Sequence, residues 1–411
     1  MAAVSLQDRT SWRHWVTPKP LKDKPIHRWF VFPTSFTDDL VGALIDEWGL
    51  SFHDEILDPF VGAGTTLLAA KQRGIPAQGF DLSPLAVLAT RVKITPLSTT
   101  ELRRGLDALH LKIEEARLHF ETPKHPELIL KAFDGPVLHE LDLLLSAVRS
   151  IRLSEKLRDF LILAVLKIVP LFSKAVATGG WLKWVEKEAD PSSVLAAFEA
   201  QTTQMADDLN ITPRSQGHRF WQVRKADSRE LPVADGRFSA VITSPPYPNR
   251  HDYTRVFGVE LLLGLLSWEE TRSVRYQSIH SHPEARPLRF GAEAFVPPQE
   301  LKKAVQDLEN QGADSRVTKM LIGYFLDMYL CLKECQRIVR PGARIALVVG
   351  NVQYGGLSIP VDEWISEIGN QIGLRQEGIL VTRLRGNSAQ QMGKYGRNPS
   401  RESIVVFSKP A

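Results

Sequence analysis

Hydrophobic and polar positions in this chain follow two periods in turn. Short apolar runs recur at Glu55–Asp58, Ile75–Phe80, Phe220–Lys225 and Arg237–Thr243, each leading into an acid or a turn residue. They read as buried strands. Thr65-Thr-Leu-Leu-Ala-Ala70 follows the first at helical spacing. This alternation predicts an α/β fold, a Rossmann-like doubly wound sheet with mostly parallel strands. Residues 97–215 break the rhythm. They are rich in Leu, Ala, Glu, Lys and Arg at helical spacing, as from Glu101 to Phe120 and from Leu153 to Phe172, with almost no strand-like alternation. A mainly helical insertion is expected there, between the second and third strands, dividing the sheet domain into 1–96 and 216–411. Target recognition, partner docking, a dimer surface and a plain stabilising lid are its candidate roles.

Between the first strand and its helix lies Asp58-Pro-Phe-Val-Gly-Ala-Gly-Thr-Thr66. Gly62 and Gly64 permit backbone angles and close approaches that a Cβ forbids. Asp58 stands where a strand's carboxyl end meets a ligand crevice. An acid there suits the ammonium of an amino acid moiety, whereas a phosphate loop would carry Lys after its glycines. The second strand ends at Asp81-Leu-Ser-Pro84, about 20 residues past the loop, where an acid accepts from ribose hydroxyls. The plainer reading of Asp81 is a cap on the helix that begins near Ser83.

Ser244-Pro-Pro-Tyr247 directly follows the Arg237–Thr243 strand. Two prolines fix φ and hold the backbone rigid, so the carbonyls before and between them aim at a fixed point. An aryl amine is a poor nucleophile because its lone pair is delocalised into the ring. Ser244 and the Pro245 carbonyl, accepting from both N–H groups, would turn that lone pair toward a methyl donor by positioning and electrostatics. Tyr247 would stack on the target base, which must leave the duplex to reach such a pocket. Asp227, after the Phe220–Lys225 strand, would meet the adenine ring of a cofactor. A Pro-Pro turn with a buried tyrosine is the bland alternative. Taken with the glycine loop, the tetrad points to methyl transfer from S-adenosylmethionine to the exocyclic amino group of a nucleobase.

On these two motifs the chain resembles the DNA amino-methyltransferases that act at N4 of cytosine or N6 of adenine. His27–Phe36 is similar to the family segment that packs over the methionine part of the cofactor. Arg340–Asn351 resembles the family's fifth strand, and Arg401–Phe407 its last, antiparallel one. The resemblance covers roughly residues 25–95 and 218–411. It implies that S-adenosylmethionine is held by Trp29, Phe32, Pro33, Asp58, Phe60, Gly62, Gly64, Thr65, Thr66, Asp81, Leu82, Ser83, Asp227, Ser228 and Thr243. It implies catalysis by Ser244, Pro245, Pro246 and Tyr247. Ser before Pro-Pro-Tyr is commoner in the cytosine-N4 enzymes, so cytosine N4 is the expected target and adenine N6 the alternative. An RNA guanine-N2 enzyme and a non-catalytic DNA-binding subunit are further alternatives. The first expects an RNA-binding module and the second an eroded motif; neither is visible. The order of motifs, with a large insertion between them, departs from the commonest family arrangements and leaves open which segment reads the DNA.

Double-stranded DNA is the implied partner, and a cognate restriction or defence-system subunit a further one, with a monomer or homodimer expected. Within the insertion, Gly179-Gly-Trp181-Leu-Lys-Trp184 combines a Gly-Gly hinge with paired tryptophans and a lysine, which suits nucleic acid by stacking and charge; tryptophans in a helical insertion also serve as core. Residues 268–298 read as a long basic loop placed to close over a flipped base and grip phosphates, with Arg272, Arg275 and Arg289 as candidates. From Leu374 onward seven basic residues face two acidic ones, and Arg385, Lys394 and Arg397 flank a Gly-rich turn suited to phosphates or base edges. The net charge of +4 supports a polyanionic partner only modestly. His251, His280 and His282 match no zinc spacing, so no metal is expected. With 43% hydrophobic and 24% charged residues the chain reads as globular. Two cysteines, no leader and no apolar run of membrane-spanning length lead to a cytoplasmic, nucleoid-associated setting as the expectation.

Overall fold

The strand-like runs do form strands, and their order explains where a site must lie. The computed structural model describes residues 5–211, 220–287, 291–386 and 399–411. In chain order the strands are β1 Leu6–Asp8, β2 Ile56–Asp58, β3 Ala77–Asp81, β4 Ala175–Thr178, β5 Trp181–Trp184, β6 Trp221–Lys225, β7 Phe238–Thr243, β8 Val339–Gly350, β9 Val352–Tyr354, β10 Leu357–Ile359, β11 Arg375–Arg385 and β12 Ser400–Ser408. Eight of them build one sheet in the order β1-β11-β12-β8-β7-β2-β3-β6. Strands β6, β3, β2, β7 and β8 run parallel. Strand β12 lies antiparallel between β8 and β11. After the edge strand β1, the chain enters the middle of the sheet at β2, moves outward to β3 and β6, then returns to β7 on the other side of β2. That reversal opens a crevice at the carboxyl ends of β2 and β7, the usual ligand position in a doubly wound sheet.

Side-chain alternation divides the strands between two cores. Leu57 and Val241 enter one apolar cluster with Tyr324, Phe325 and Phe407, while Ile56 and Ile242 enter another with Leu40, Leu44 and Val348. All six residues of β7 are buried, as expected for a strand covered by helices on both faces.

Residues 97–215 form helices at Thr99–Arg117, Glu127–Ala132, Gly135–Ser150, Glu155–Phe172 and Ser193–Ile211. The insertion is mainly helical, and one short hairpin adds to it: β4 and β5 pair across Gly179-Gly180. These helices share one apolar cluster with the Pro84–Ile94 helix of the sheet domain, with Trp29 and Phe32, and with Val256–Leu263. The insertion is therefore welded to the helix behind β3 rather than laid on as a lid. A correction concerns the basic stretch. Trp268–Gln277 is a helix, opened by a capping box between Ser267 and Glu270 and anchored by buried Thr271 and Val274 three apart.

Candidate active site

The floor of the crevice is built from β2 and β7. Asp58 ends β2 and is 2% exposed. Thr243, ending β7 beside it, donates its hydroxyl to Asp58 at 2.6 Å, and the Phe60 N–H donates at 3.1 Å. Burial nevertheless pushes the Asp58 carboxyl up to about 6. Thr66 is fully buried and donates to the Ile242 carbonyl at 3.2 Å. Thr66 and Thr243 thus orient Asp58 and tie its strand to β7.

The glycine loop connects to the second acid. Gly62 has φ of 49° and donates its N–H to Asp81 at 3.0 Å; the Ser83 N–H donates at 2.9 Å. Asp81 therefore caps its own turn and also faces the crevice, with burial raising its carboxyl to about 6. Gly64 serves packing: at φ of 82°, a Cβ there would stand 2.7 Å from the Thr90 hydroxyl.

The crevice encloses about 1050 Å³ counting its open mouth. Of the predicted residues, Phe32, Asp58, Phe60, Gly62, Thr65, Asp81, Leu82, Ser83, Ser228, Ser244 and Pro246 line it together. Others stand elsewhere. Trp29 is buried with its indole N–H donating to Asp208 at 2.9 Å, and Arg28 pairs with the same carboxylate; Trp29 clamps the N-terminal segment to the insertion. Pro33 is exposed outside the lining. Asp227 is held by both Nε and an Nη of its neighbour Arg229, so Ala226 and Ser228 supply the crevice wall there.

The tetrad divides in the same way. The Ser244 hydroxyl donates to the Val348 carbonyl on β8 at 3.0 Å, which leaves its oxygen lone pairs as acceptors. Pro246 lines the crevice beside it, and Pro245 is buried beneath. Tyr247 departs from expectation. It is 6% exposed and outside the lining, with its ring against Gly350 and its hydroxyl donating to Glu402 at 3.2 Å. A buried tyrosine hydroxyl needs such a partner, and this bond turns the ring inward. In this conformation Tyr247 braces the loop, as does Tyr354, which donates to the Pro248 carbonyl at 2.7 Å.

The wall facing the glycine loop combines Asp252, Tyr253 and Thr254, which were not expected, with Ile279, Ser281 and His282 from the 268–298 stretch expected to close over a base. Its signal was Asp252-Tyr-Thr254, a helix cap in which Asp252 accepts from the Thr254 N–H at 2.9 Å and its hydroxyl at 2.6 Å. Tyr253 stacks on Phe32 across the crevice and bonds to Thr34. Arg275, expected to grip phosphate, instead pairs with Asp252 at 3.0 Å and donates to Thr254 at 2.9 Å. Asp252, His282 and Glu284 converge closely enough to hold a cation. Arg275 on Asp252 and Arg255 on Glu284 already supply the positive charge, which makes the cluster an ion-pair network.

Of the other expected DNA contacts, Arg272 is exposed and bonded to the Tyr276 hydroxyl at 3.2 Å. Arg385 reaches the neighbourhood of Gly350, beside the Tyr247 ring. Arg289, Lys394 and Arg397 lie outside the described residues. One further residue was missed. Lys93, 2% exposed, donates to the carbonyls of Phe30 at 2.6 Å and Ala63 at 2.7 Å, stitching the N-terminal segment to the glycine loop. No helix among the described residues is long and apolar enough to cross a membrane.

No family model matches the chain. Among solved structures, a TehB-like SAM-dependent methyltransferase from Corynebacterium glutamicum overlays with a TM-score of 0.29 at 9% identity, over 90% of this chain and 86% of that one. The fold assignment therefore rests on the strand order described above. Sequence relatives are closer. Type II methyltransferase M.BsoBI of Geobacillus stearothermophilus is 28% identical over 97% of this chain and 88% of its own length. Type II methyltransferase M.AvaI of Nostoc sp. is 29% identical over 95% and 87%, and M.MvaI of Kocuria varians 22% over 83% and 80%. Over nearly its whole length, with the insertion included, the chain is thus a homologue of Type II methyltransferases.

Proposed function

We propose that this chain is an S-adenosylmethionine-dependent DNA methyltransferase that methylates N4 of a flipped-out cytosine. The observation that carries the reading is Ser244, whose hydroxyl proton is committed to the Val348 carbonyl while its lone pairs remain for an incoming amino group. The crevice suits the cofactor by the chemistry of its donors. It offers a buried carboxylate for a cationic end, a second for hydroxyls and apolar walls from Phe32 and Phe60. Asp58, Phe60, Gly62, Asp81 and Ser83 would hold the cofactor, which when bound supplies an electrophilic methyl group.

The chain's own residues then do three things. Ser244 and the Pro245 carbonyl would accept hydrogen bonds from the two amino N–H groups and so localise the lone pair on nitrogen. The Tyr247–Glu402 and Tyr354–Pro248 bonds keep that loop from shifting. Phe32 and Tyr253, stacked on each other, shield the crevice from water. Methylation at a ring carbon of cytosine would instead need a nucleophile added to the ring. Both cysteines are unsuited to it: they are 3% exposed, and burial raises their thiols, that of Cys335 to about 12.

The test is transfer of labelled methyl groups to duplex DNA and to structured RNA, for wild type and Ser244→Ala. Label in DNA that vanishes with Ser244→Ala is expected. Label confined to RNA would overturn the DNA reading.

A further inference from the structure

The β4–β5 hairpin has no part in the proposed reaction, and its two faces differ. Ala175 pairs with Trp184 and Ala177 with Leu182 on one face; Val176 pairs with Lys183 and Thr178 with Trp181 on the other. The first face is docked at one end: Ala175 is buried and Leu182 packs on the insertion core, while Ala177 is exposed and Trp184 is 38% exposed with the Lys131 ammonium 4.5 Å from its ring. The second face points to solvent, with Trp181 61% exposed, Val176 40% exposed and Lys183 exposed. Packing does not require a tryptophan there.

Position gives that face a meaning. At the turn, a Cβ on Gly180 would stand 3.0 Å from the Arg250 carbonyl oxygen and 3.2 Å from the His251 Cα. A side chain there would press the Arg250 backbone back by a few tenths of an ångström, so glycine favours the close approach. Arg250 is exposed, lies three residues past Tyr247, and leads into the Asp252–Thr254 wall of the crevice. Trp181, the residue after Gly180, therefore stands on the rim of the catalytic loop, with Lys183 and Arg250 as nearby cations. An exposed ring on a surface that also carries cations matches a polyanion with stackable faces. A base drawn into the crevice also leaves its former neighbours uncovered.

We infer that the hairpin is a DNA-contacting arm. Trp181 stacks on a base next to the flipped one, and Lys183 and Arg250 meet the adjoining phosphates. The inference rests on the proposed DNA methyltransferase reading and adds the surface by which duplex is held.

The test measures binding of a fluorescent duplex of mixed sequence, KM and kcat for methyl transfer to unmethylated DNA, and cofactor affinity as the control for folding. For Trp181→Ala, DNA affinity should fall about fivefold to about a hundredfold, the range for a lost aromatic stack on a base. KM for DNA should rise with it, cofactor affinity should stay unchanged, and Trp181→Phe should restore most of the loss. Lys183→Gln should lower the salt dependence of binding by about one phosphate contact. An active wild type whose Trp181→Ala variant binds and methylates DNA equally well overturns the arm alone. So does a variant that keeps DNA affinity but loses self-association in sedimentation, which would make the face a contact between copies. A wild type that neither binds nor methylates DNA removes the underlying reading and the arm together.

Discussion

The two walls of the crevice are held by different forces. The glycine-loop wall is fixed by hydrogen bonds to two carboxylates, buried Asp58 and half-buried Asp81, from Thr243, Phe60, Gly62 and Ser83. The facing wall is fixed by ion pairs, Arg275 with Asp252 and Arg255 with Glu284, the latter pair more exposed. Buried hydrogen bonds to carboxylates tolerate little change and ignore salt; partly exposed ion pairs are softer and are screened. The contrast suits one wall that must fit a fixed cofactor and another that must admit and release a base on a polymer.

The sharpest break of this comparison comes at the junction of the walls. Ser244→Ala should lower turnover about 100-fold to about 1000-fold, as for loss of a positioned hydrogen-bonding group, with cofactor affinity unchanged by calorimetry. Next, Asp58→Asn keeps the shape of the floor and removes its charge. Cofactor affinity should fall about tenfold to about a hundredfold, the worth of a charge-assisted hydrogen bond, and added salt should not alter the difference.

Acid should weaken the same wall without mutation. Asp58 and Asp81 both have carboxyls raised to about 6 by burial, so they are ionised above that pH and take up protons below it. A cationic ligand favours the ionised form, so affinity is present above about pH 6 and lost as pH falls through it. Protonation of Asp58, the carboxyl that meets the cationic end, costs about tenfold per pH unit. Asp58→Asn should flatten the profile, and an unchanged profile would remove Asp58 from cofactor binding. The smallest effect belongs to the facing wall. Arg255→Met, which breaks the more exposed pair with Glu284, should lower the melting temperature by no more than about 2 °C, and raising salt should narrow the gap from wild type.

The same division decides what could be read along the chain. Asp58, Gly62, Asp81 and Ser244 stand at strand ends beside turn residues, so a few consecutive positions carry their roles. Asp252 and Arg275 meet only because the Trp268–Gln277 helix packs beside the Tyr253–Val256 turn. That helix was announced by Ser267 and Glu270, but its low apolar content made the region resemble a loop. Lys93 and Asp208 were hidden for another reason. Each is a charged residue on a helix whose burial appears only once the N-terminal segment packs against it, Lys93 on the Phe30 carbonyl and Asp208 on Arg28 and Trp29. Tyr247 sat in a recognisable motif, yet its inward turn depends on Glu402, 155 residues away. The β4–β5 hairpin escaped because four-residue strands flanked by helices leave too short an alternation to read.

The most direct measurement is the mass and retention of the nucleoside released from DNA after methylation by the wild-type chain. N4-methylcytosine, absent when Ser244 is Ala, is the predicted product. C5-methylcytosine would contradict the account outright, since no thiol reaches the crevice to make it, and N6-methyladenine would keep the mechanism and refute the assigned base.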